Sequence, residues 1–460
     1  MKNISVLITI AMLFGTSLPA LSCLASERTS GLKKVLKETD RHLPRSFQFT
    51  YNWRGQSHST ANAVFVDFLE SDSLIKIDLN QRKVTQETKI RLRQPSAGNI
   101  AFDIVSLQAT ALIDGKATPI LEFETPGLET KLRAIETPTE IGEHELVIRS
   151  ELTTGVFFDE AGFSLRFSMN DSEDRSFLEK YLPTNLEYDT YAMKFDFEIV
   201  GGTLDDLEWY ANGDWNRQSG TRMTLQFPDY FNCSSPFIRL YFKGSTLSAQ
   251  GAFTTQSGRL VPIQIFKLKT QSSTDLSRFL EKAKQTLSDL EMRYGEWAHP
   301  SLLIQAYGEM TDTGGMEYVG AAATAFQGLD HELFHSYFGR GAMPANGNAG
   351  WIDEAVATWR DHGYRLADQP IFEISDLGAI GLYSRATNAR AYEDGGSFIE
   401  YLAKLFDIKG KSLDSTLAQF FAHYLKRTYS TDDFQGELES IYGETLQPQF
   451  EQYVYGRIPR

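Results

Sequence analysis

The chain has 460 residues, 42% of them hydrophobic, enough for a sizeable core and, at roughly 100–200 residues per domain, for two or three domains. Sixty acidic residues against 45 basic ones give a formal charge of −15 and a pI near 5.1. No Lys/Arg cluster stands out that could neutralise a phosphate backbone, so nucleic acid is not expected as a partner.

The opening "MKNISVLITIAMLFGTSLPALSCLAS" has the order of an export signal: Lys2, an apolar run over residues 4–14, and small residues around a cleavage site at 20–25. Residues 1–25 are read as a signal peptide, and an exported protein, periplasmic or secreted, is expected. The run is short for a bilayer span, and no later stretch is apolar enough for a transmembrane helix. "ALSC" raises a lipid anchor at Cys23, against which Ala20 stands where a lipoprotein signal usually has leucine. Cys233 is the one cysteine sure to outlast cleavage, so a disulfide is expected only if Cys23 remains.

From about residue 45 to 268 the pattern alternates, as in "SLIKIDL", "MKFDFEIV" and "VPIQIFKLK", with Gly, Asn, Asp and Pro turns between. This predicts an all-β, sandwich-like domain over 26–270. The period then changes: Leu276, Phe279, Leu280, Ala283, Leu287 and Leu290 recur at helical steps behind the capping candidates Ser272, Ser273 and Thr274. A boundary near 268–274 follows, and helices alternating with short strands predict a second, α+β domain over 271–460.

Within that domain, "HELFH" places His331 and His335 one helical turn apart on one face, so two imidazole nitrogens can aim at one metal ion. Glu332 follows the first histidine and is turned about 100° around the helix, where in zinc hydrolases of this pattern it flanks the metal as general base. A polar, solvated helix face is the plainer reading, yet "AAATAFQGLDHELFHSYFG" is too apolar for an ordinary surface helix. A catalytic zinc needs a third protein ligand and an open fourth position. Glu354 in "GWIDEAVATW", with eighteen residues between it and His335, is the best candidate, and Asp353, Asp361 and His362 are rivals by chemistry.

"HELFHSYFGR" followed by "GWIDEAVATW" resembles the "HELAHxWFG" and "WLNEG" motifs of the M1 family of zinc aminopeptidases, whose gluzincin spacing is HExxH-x18-E. "TGGMEYVG" is similar to that family's Gly-x-Met-Glu-Asn motif, "RAYEDGGSFIEYLAKLF" to the segment with its catalytic tyrosine, and "FFAHYLKRTYSTDDF" to the helical segment after it. The resemblance spans about residues 275–435, with a weaker likeness of "EKYLPTNLEYDTYAMKFDFEIV" to the preceding β domain. It implies a thermolysin-like catalytic domain, one Zn2+ on His331, His335 and Glu354, and peptides as substrates.

By the same resemblance, Glu332 is the general base and Tyr392 donates to the oxyanion. Gly314, Gly315, Met316 and Glu317 bind the substrate, with Glu317 pairing with its α-amino group. Such a chain is expected to be an aminopeptidase. An endopeptidase acting on longer peptides, and a peptide-binding module without catalysis, are the alternatives; against the second, neither the ligands nor the base are missing.

Several positions depart from the family. Tyr318 replaces an asparagine, only thirteen residues separate Glu317 from His331, and Arg340 follows "FG" where asparagine is usual. Asp353 and Ala355 flank Glu354 where asparagine and glycine are common. The sequence ends at Arg460 without room for the helical domain that caps typical M1 clefts. The M61 glycyl aminopeptidases are the next nearest likeness, but their C-terminal PDZ-type domain is missing too, so a minimal relative is expected. No G-x-S-x-G elbow occurs, "GKS" at 410–412 lacks the upstream glycine of a phosphate-binding loop, and "GRGAMP" has Pro344 where a dinucleotide fingerprint needs glycine. His42, His58, His144 and His299 are read as surface or core histidines, and His362 and His423 as residues that could support the ligands.

Overall fold

The computed structural model describes residues 46–53, 56–106, 108–124, 131–159, 162–167, 178–185, 189–271, 273–345, 347–378 and 387–457. The expected signal peptide with Cys23, together with His42 and Ser272, lies outside the described residues. Among those residues no helix is long and apolar enough to cross a membrane.

Alternating sequence produces the first half. Along the strand Ala192–Val200, Met193, Phe195, Phe197 and Ile199 are buried and the residues between them are half-buried. This strand runs parallel to Asp67–Asp78 within an eight-stranded sheet whose other pairings are antiparallel. A four-stranded sheet containing Gly162–Phe167 and Ile238–Phe242 shares the same core, where Leu165, Phe167 and Leu240 join Ile75, Ile90 and Phe197. A five-stranded sheet adds Val64, Ile100, Phe102 and Ile135 to that core, so three sheets share it in a sandwich-like layer arrangement.

The second half is built on a five-stranded sheet. Its strands are β1 (Thr246–Thr254), β2 (Leu260–Leu268), β3 (Leu302–Ala306), β4 (Gly315–Tyr318) and β5 (Ala321–Thr324), in the order β1-β2-β3-β5-β4. β1 and β2 form an antiparallel hairpin, β3 and β5 continue in parallel, and β4 returns antiparallel as the edge. The expected boundary at 268–274 falls on the connection after β2, so the hairpin before it shares a sheet with strands beyond it. β2 also faces two cores: Val261, Ile263 and Ile265 pack among the helices, while Phe266 stacks on Tyr210 with ring centroids 3.8 Å apart.

Seven helices follow among the described residues: α1 (Leu276–Tyr294), α2 (Leu329–Phe334), α3 (Ile352–Asp361), α4 (Gly396–Ile408), α5 (Leu413–Tyr424), α6 (Thr431–Tyr442) and α7 (Gln447–Tyr453). Of the stripe expected from its spacing, α1 buries Phe279, Ala283, Leu287 and Leu290, with Leu276 and Leu280 half-buried, and it also buries Tyr294. Its cap differs from the sequence expectation. Asp275 accepts from the Ser277 and Arg278 backbone N–H groups at 3.0 and 3.3 Å, while the Thr274 hydroxyl donates to the Gly308 carbonyl at 2.8 Å. A carboxylate satisfying two first-turn donors also complements the helix dipole.

His299, read from the sequence as a surface or core histidine, lies in the core. It is 1% exposed, edge-on to Trp297, and its Nε2–H donates to the Ser336 carbonyl at 3.0 Å. Burial, aided by the charges of Lys426 and Arg259 and opposed by that carbonyl, holds its pKa down to about 4. An unfolded histidine titrates near 6.5, so this contribution is intact above pH ~6.5 and is lost as pH falls toward 4, by about 2–3 kcal/mol. His299→Gln is therefore expected to show a smaller stability loss between pH 7 and 4.5 than the parent chain in urea unfolding. Equal losses would show that His299 carries none of the acid sensitivity.

Candidate active site

The two histidines sit at the end of α2, a helix of only six residues. His331 is inside it and His335 caps it, with the His335 backbone N–H donating to the His331 carbonyl at 3.3 Å, so the one-turn offset survives in so short a helix. Glu354 comes from the first turn of α3, which packs close by. The three donor atoms form a nearly equilateral triangle: His331 Nε2 to His335 Nε2 3.1 Å, His331 Nε2 to Glu354 Oε2 3.1 Å, and His335 Nε2 to Glu354 Oε2 3.3 Å.

That triangle matches zinc. Ligands about 2.0–2.1 Å from a tetrahedral ion lie about 3.3 Å from one another. The opposite ring nitrogens are already engaged: His331 Nδ1 with Asp361 Oδ2 at 2.7 Å, and His335 Nδ1 with the Phe338 carbonyl at 3.2 Å. Donation from both Nδ1 atoms leaves the Nε2 lone pairs for a metal and fixes the ring planes. Asp361 thus fixes the orientation of the His331 ring, and Asp353, fully buried, accepts from the Glu354 backbone N–H at 2.9 Å. His362 bonds Glu400 at 2.8 Å instead, and His423 bonds Glu437 at 2.5 Å. Glu317, His335 and Asp353 also bring three donor atoms within 4.8 Å, but Glu317 is committed to an arginine.

The charges point the same way. Burial lowers the pKa of His331, yet hydrogen bonds to Asp361 and Glu354 and the charges of Glu354 and Glu332 outweigh it and push it up to about 11. The same balance pushes His335 up to about 9, chiefly through the Glu354 charge, and holds Glu354 well below the usual carboxylate range. The site therefore favours a positive charge at the centre of the triangle. For Glu332, burial and the Glu317 charge raise the pKa to about 8 against the pull of the two histidines.

Asp361→Asn is expected to weaken zinc binding about 10–100-fold without unfolding the chain, measured by competition with a chromophoric chelator. Unchanged affinity would remove Asp361 from the site.

Tyr392 approaches from the chain preceding α4. Its hydroxyl donates to Glu354 Oε1 at 2.9 Å, and its ring lies nearly parallel to that of His331, 6.4 Å away. Residues Ala391–Gly395 form one wide π-helical turn that continues into α4. Two glycines let this segment reach α3: a Cβ on Gly395 would lie 2.8 Å from the Ala355 Cβ, and one on Gly396 would lie 2.7 Å from the Thr358 Cγ2. Tyr392 is 46% exposed, open to a cleft of about 1410 Å³ that Gly314, Gly315, His331, Glu332 and Tyr364 also line.

Of the four residues expected to bind substrate, Gly314 and Gly315 are on the cleft and Met316 and Glu317 are not among its lining residues. A Cβ on Gly315 would sit 2.6 Å from Glu332 Oε1, so only glycine lets the edge strand lie against this carboxylate. Met316 packs toward the core of the β half. Glu317 is 4% exposed, with its Oε1 2.6 Å from Arg340 Nη2.

No known family profile matches the sequence, and no curated protein matches it. Solved structures do match in fold. Aminopeptidase A of Legionella pneumophila superposes with a TM-score of 0.61 at 14% identity over 85% of this chain and 50% of its own. Yeast LTA4 hydrolase gives 0.61 at 14% over 86% and 69–68% respectively in its bestatin-bound and native forms, with 0.60 for the former. The M1 zinc metallopeptidase of Deinococcus radiodurans gives 0.58 at 13% over 86% of this chain and 96% of its own. The chain thus spans half the length of the Legionella protein and nearly all of the Deinococcus one, and it shares their α+β fold.

Proposed function

We propose that this chain is a zinc metallopeptidase that hydrolyses peptide bonds with a zinc-activated water. The observation that carries the reading is the His331–His335–Glu354 triangle at tetrahedral spacing, whose His331 lines a cleft together with a buried glutamate, Glu332, and Tyr392. The fold likeness supports it, because the solved neighbours include zinc metallopeptidases by name. None of the three proposed ligands is replaced, and neither is the proposed base, which disfavours a module that only binds peptide. The export signal read from residues 1–25 leads us to propose a periplasmic or secreted site of action.

Bound in this triangle, zinc would supply Lewis acidity toward water and the scissile carbonyl. Glu332 would accept the proton of the attacking water and deliver it to the leaving amine, a role suited to a carboxylate that titrates near neutrality. Tyr392 would turn its hydroxyl from Glu354 to the developing oxyanion, and its exposure leaves that path open. The peptide would lie along residues 313–315 at the sheet edge, where the backbone can pair with it.

The test is hydrolysis of unblocked and internally quenched peptides by the zinc-loaded chain, with products identified by mass spectrometry. Tyr392→Phe is expected to lower kcat about 100–1,000-fold with little change in KM. A variant as active as its parent would remove Tyr392 from the reaction.

A further inference from the structure

We propose that Arg340 fills, from within the chain, the place that a substrate's N-terminal ammonium would take on Glu317, so that the cleft accepts internal stretches of peptide and requires no free amine. This rests on the peptidase reading and names the substrate class of the same site.

Arg340 is 1% exposed and Glu317 is 4% exposed, with 2.6 Å between Nη2 and Oε1. Arg340 is held from its other side, where Nη1 donates to Ser234 Oγ at 3.0 Å in the β half. A buried carboxylate bound to a buried guanidinium already has its ionic partner within the chain, and removing either would leave the other uncompensated. A substrate ammonium brought to Glu317 would approach a second cation in a low-dielectric interior.

The two sequence departures meet at this point. Arg340 stands where the M1 pattern has asparagine. Tyr318, beside Glu317, is 1% exposed and packs on Phe237 with centroids 4.8 Å apart. The cleft, at about 1410 Å³, exceeds the roughly 300–1,000 Å³ usual for small-molecule sites.

The experiment uses the full chain carrying Glu332→Gln and loaded with zinc, titrated calorimetrically with one pentapeptide amide in free and N-acetylated forms. Parent protein is assayed in parallel for cleavage of both. We expect affinities within about threefold of each other, and cleavage products from both forms that begin at an internal residue. Affinity about thirtyfold or more in favour of the free form would overturn the proposal, as would failure of either form to bind. Equal binding without cleavage by the parent would support it while defeating the peptidase reading. In the same background, replacing both Glu317 and Arg340 by Gln avoids a lone buried charge and is expected to leave the affinity ratio near one. A tenfold or larger fall in preference for the free form would show that Glu317 does engage an amine.

Discussion

Glu332→Gln is expected to bind zinc as tightly as the parent chain and to hydrolyse peptides about 1,000–10,000 times more slowly, mainly through kcat. The substitution keeps the size and shape of the side chain against Gly315, where there is no room for a larger neighbour, but removes the basic oxygen. The proposed metal triangle is formed by His331, His335 and Glu354 without Glu332. The loss corresponds to about 4–5.5 kcal/mol of transition-state stabilisation. Steady-state kinetics together with a zinc count checks it. A variant that retained a tenth of the parent's kcat would assign the proton transfer elsewhere.

Removing the metal is expected to abolish hydrolysis and to lower thermal stability, and Glu354→Ala is expected to do both irreversibly. A ligand bound by the folded chain alone, at a thousandfold excess over its dissociation constant, stabilises that state by about 4 kcal/mol. Without zinc, Asp361 and Glu354 hold His331 protonated up to pH about 11, and Glu354 chiefly holds His335 protonated up to about 9. Metal uptake must displace these protons, so zinc affinity falls as pH is lowered and protons are released on binding. Thermal melts with and without added zinc, at two pH values, read the effect directly. If the parent and Glu354→Ala melted alike and responded alike to zinc, Glu354 would not be a ligand.

What could be read from the sequence was what depends on neighbours along the chain. The alternation of "AMKFDFEIV" produces the strand Ala192–Val200, and the three- and four-residue steps after Leu276 produce α1, because burial follows local periodicity. His331, Glu332 and His335 lie within one short helix and its cap, so their juxtaposition is local too. Asp361 lies seven residues after Glu354, two turns along the same face of α3, a spacing that marks it as a neighbour of the ligands more than as a rival.

Features that depend on distant partners were not legible. The hairpin Thr246–Leu268 alternates like the strands before it, yet β2 pairs with Leu302–Ala306, across a helix, and nothing within the hairpin announces that choice. The α1 cap moves to Asp275 because Thr274 is drawn to the Gly308 carbonyl. Glu317 and Arg340 are 23 residues apart and meet through the fold, so a motif glutamate expected on the cleft lies buried in an ion pair. Tyr392 reaches Glu354 through a π turn seated on two glycines, geometry that no periodicity reports.

The decisive measurement is anomalous diffraction at the zinc edge from crystals of the zinc-loaded full chain. One peak about 2.0–2.2 Å from His331 Nε2, His335 Nε2 and a Glu354 carboxylate oxygen, with an open position facing Glu332 and Tyr392, is the expected result. No peak in the triangle at saturating zinc, or a peak held by Glu317 and Asp353 instead, would contradict the assignment of this cleft as a zinc peptidase site.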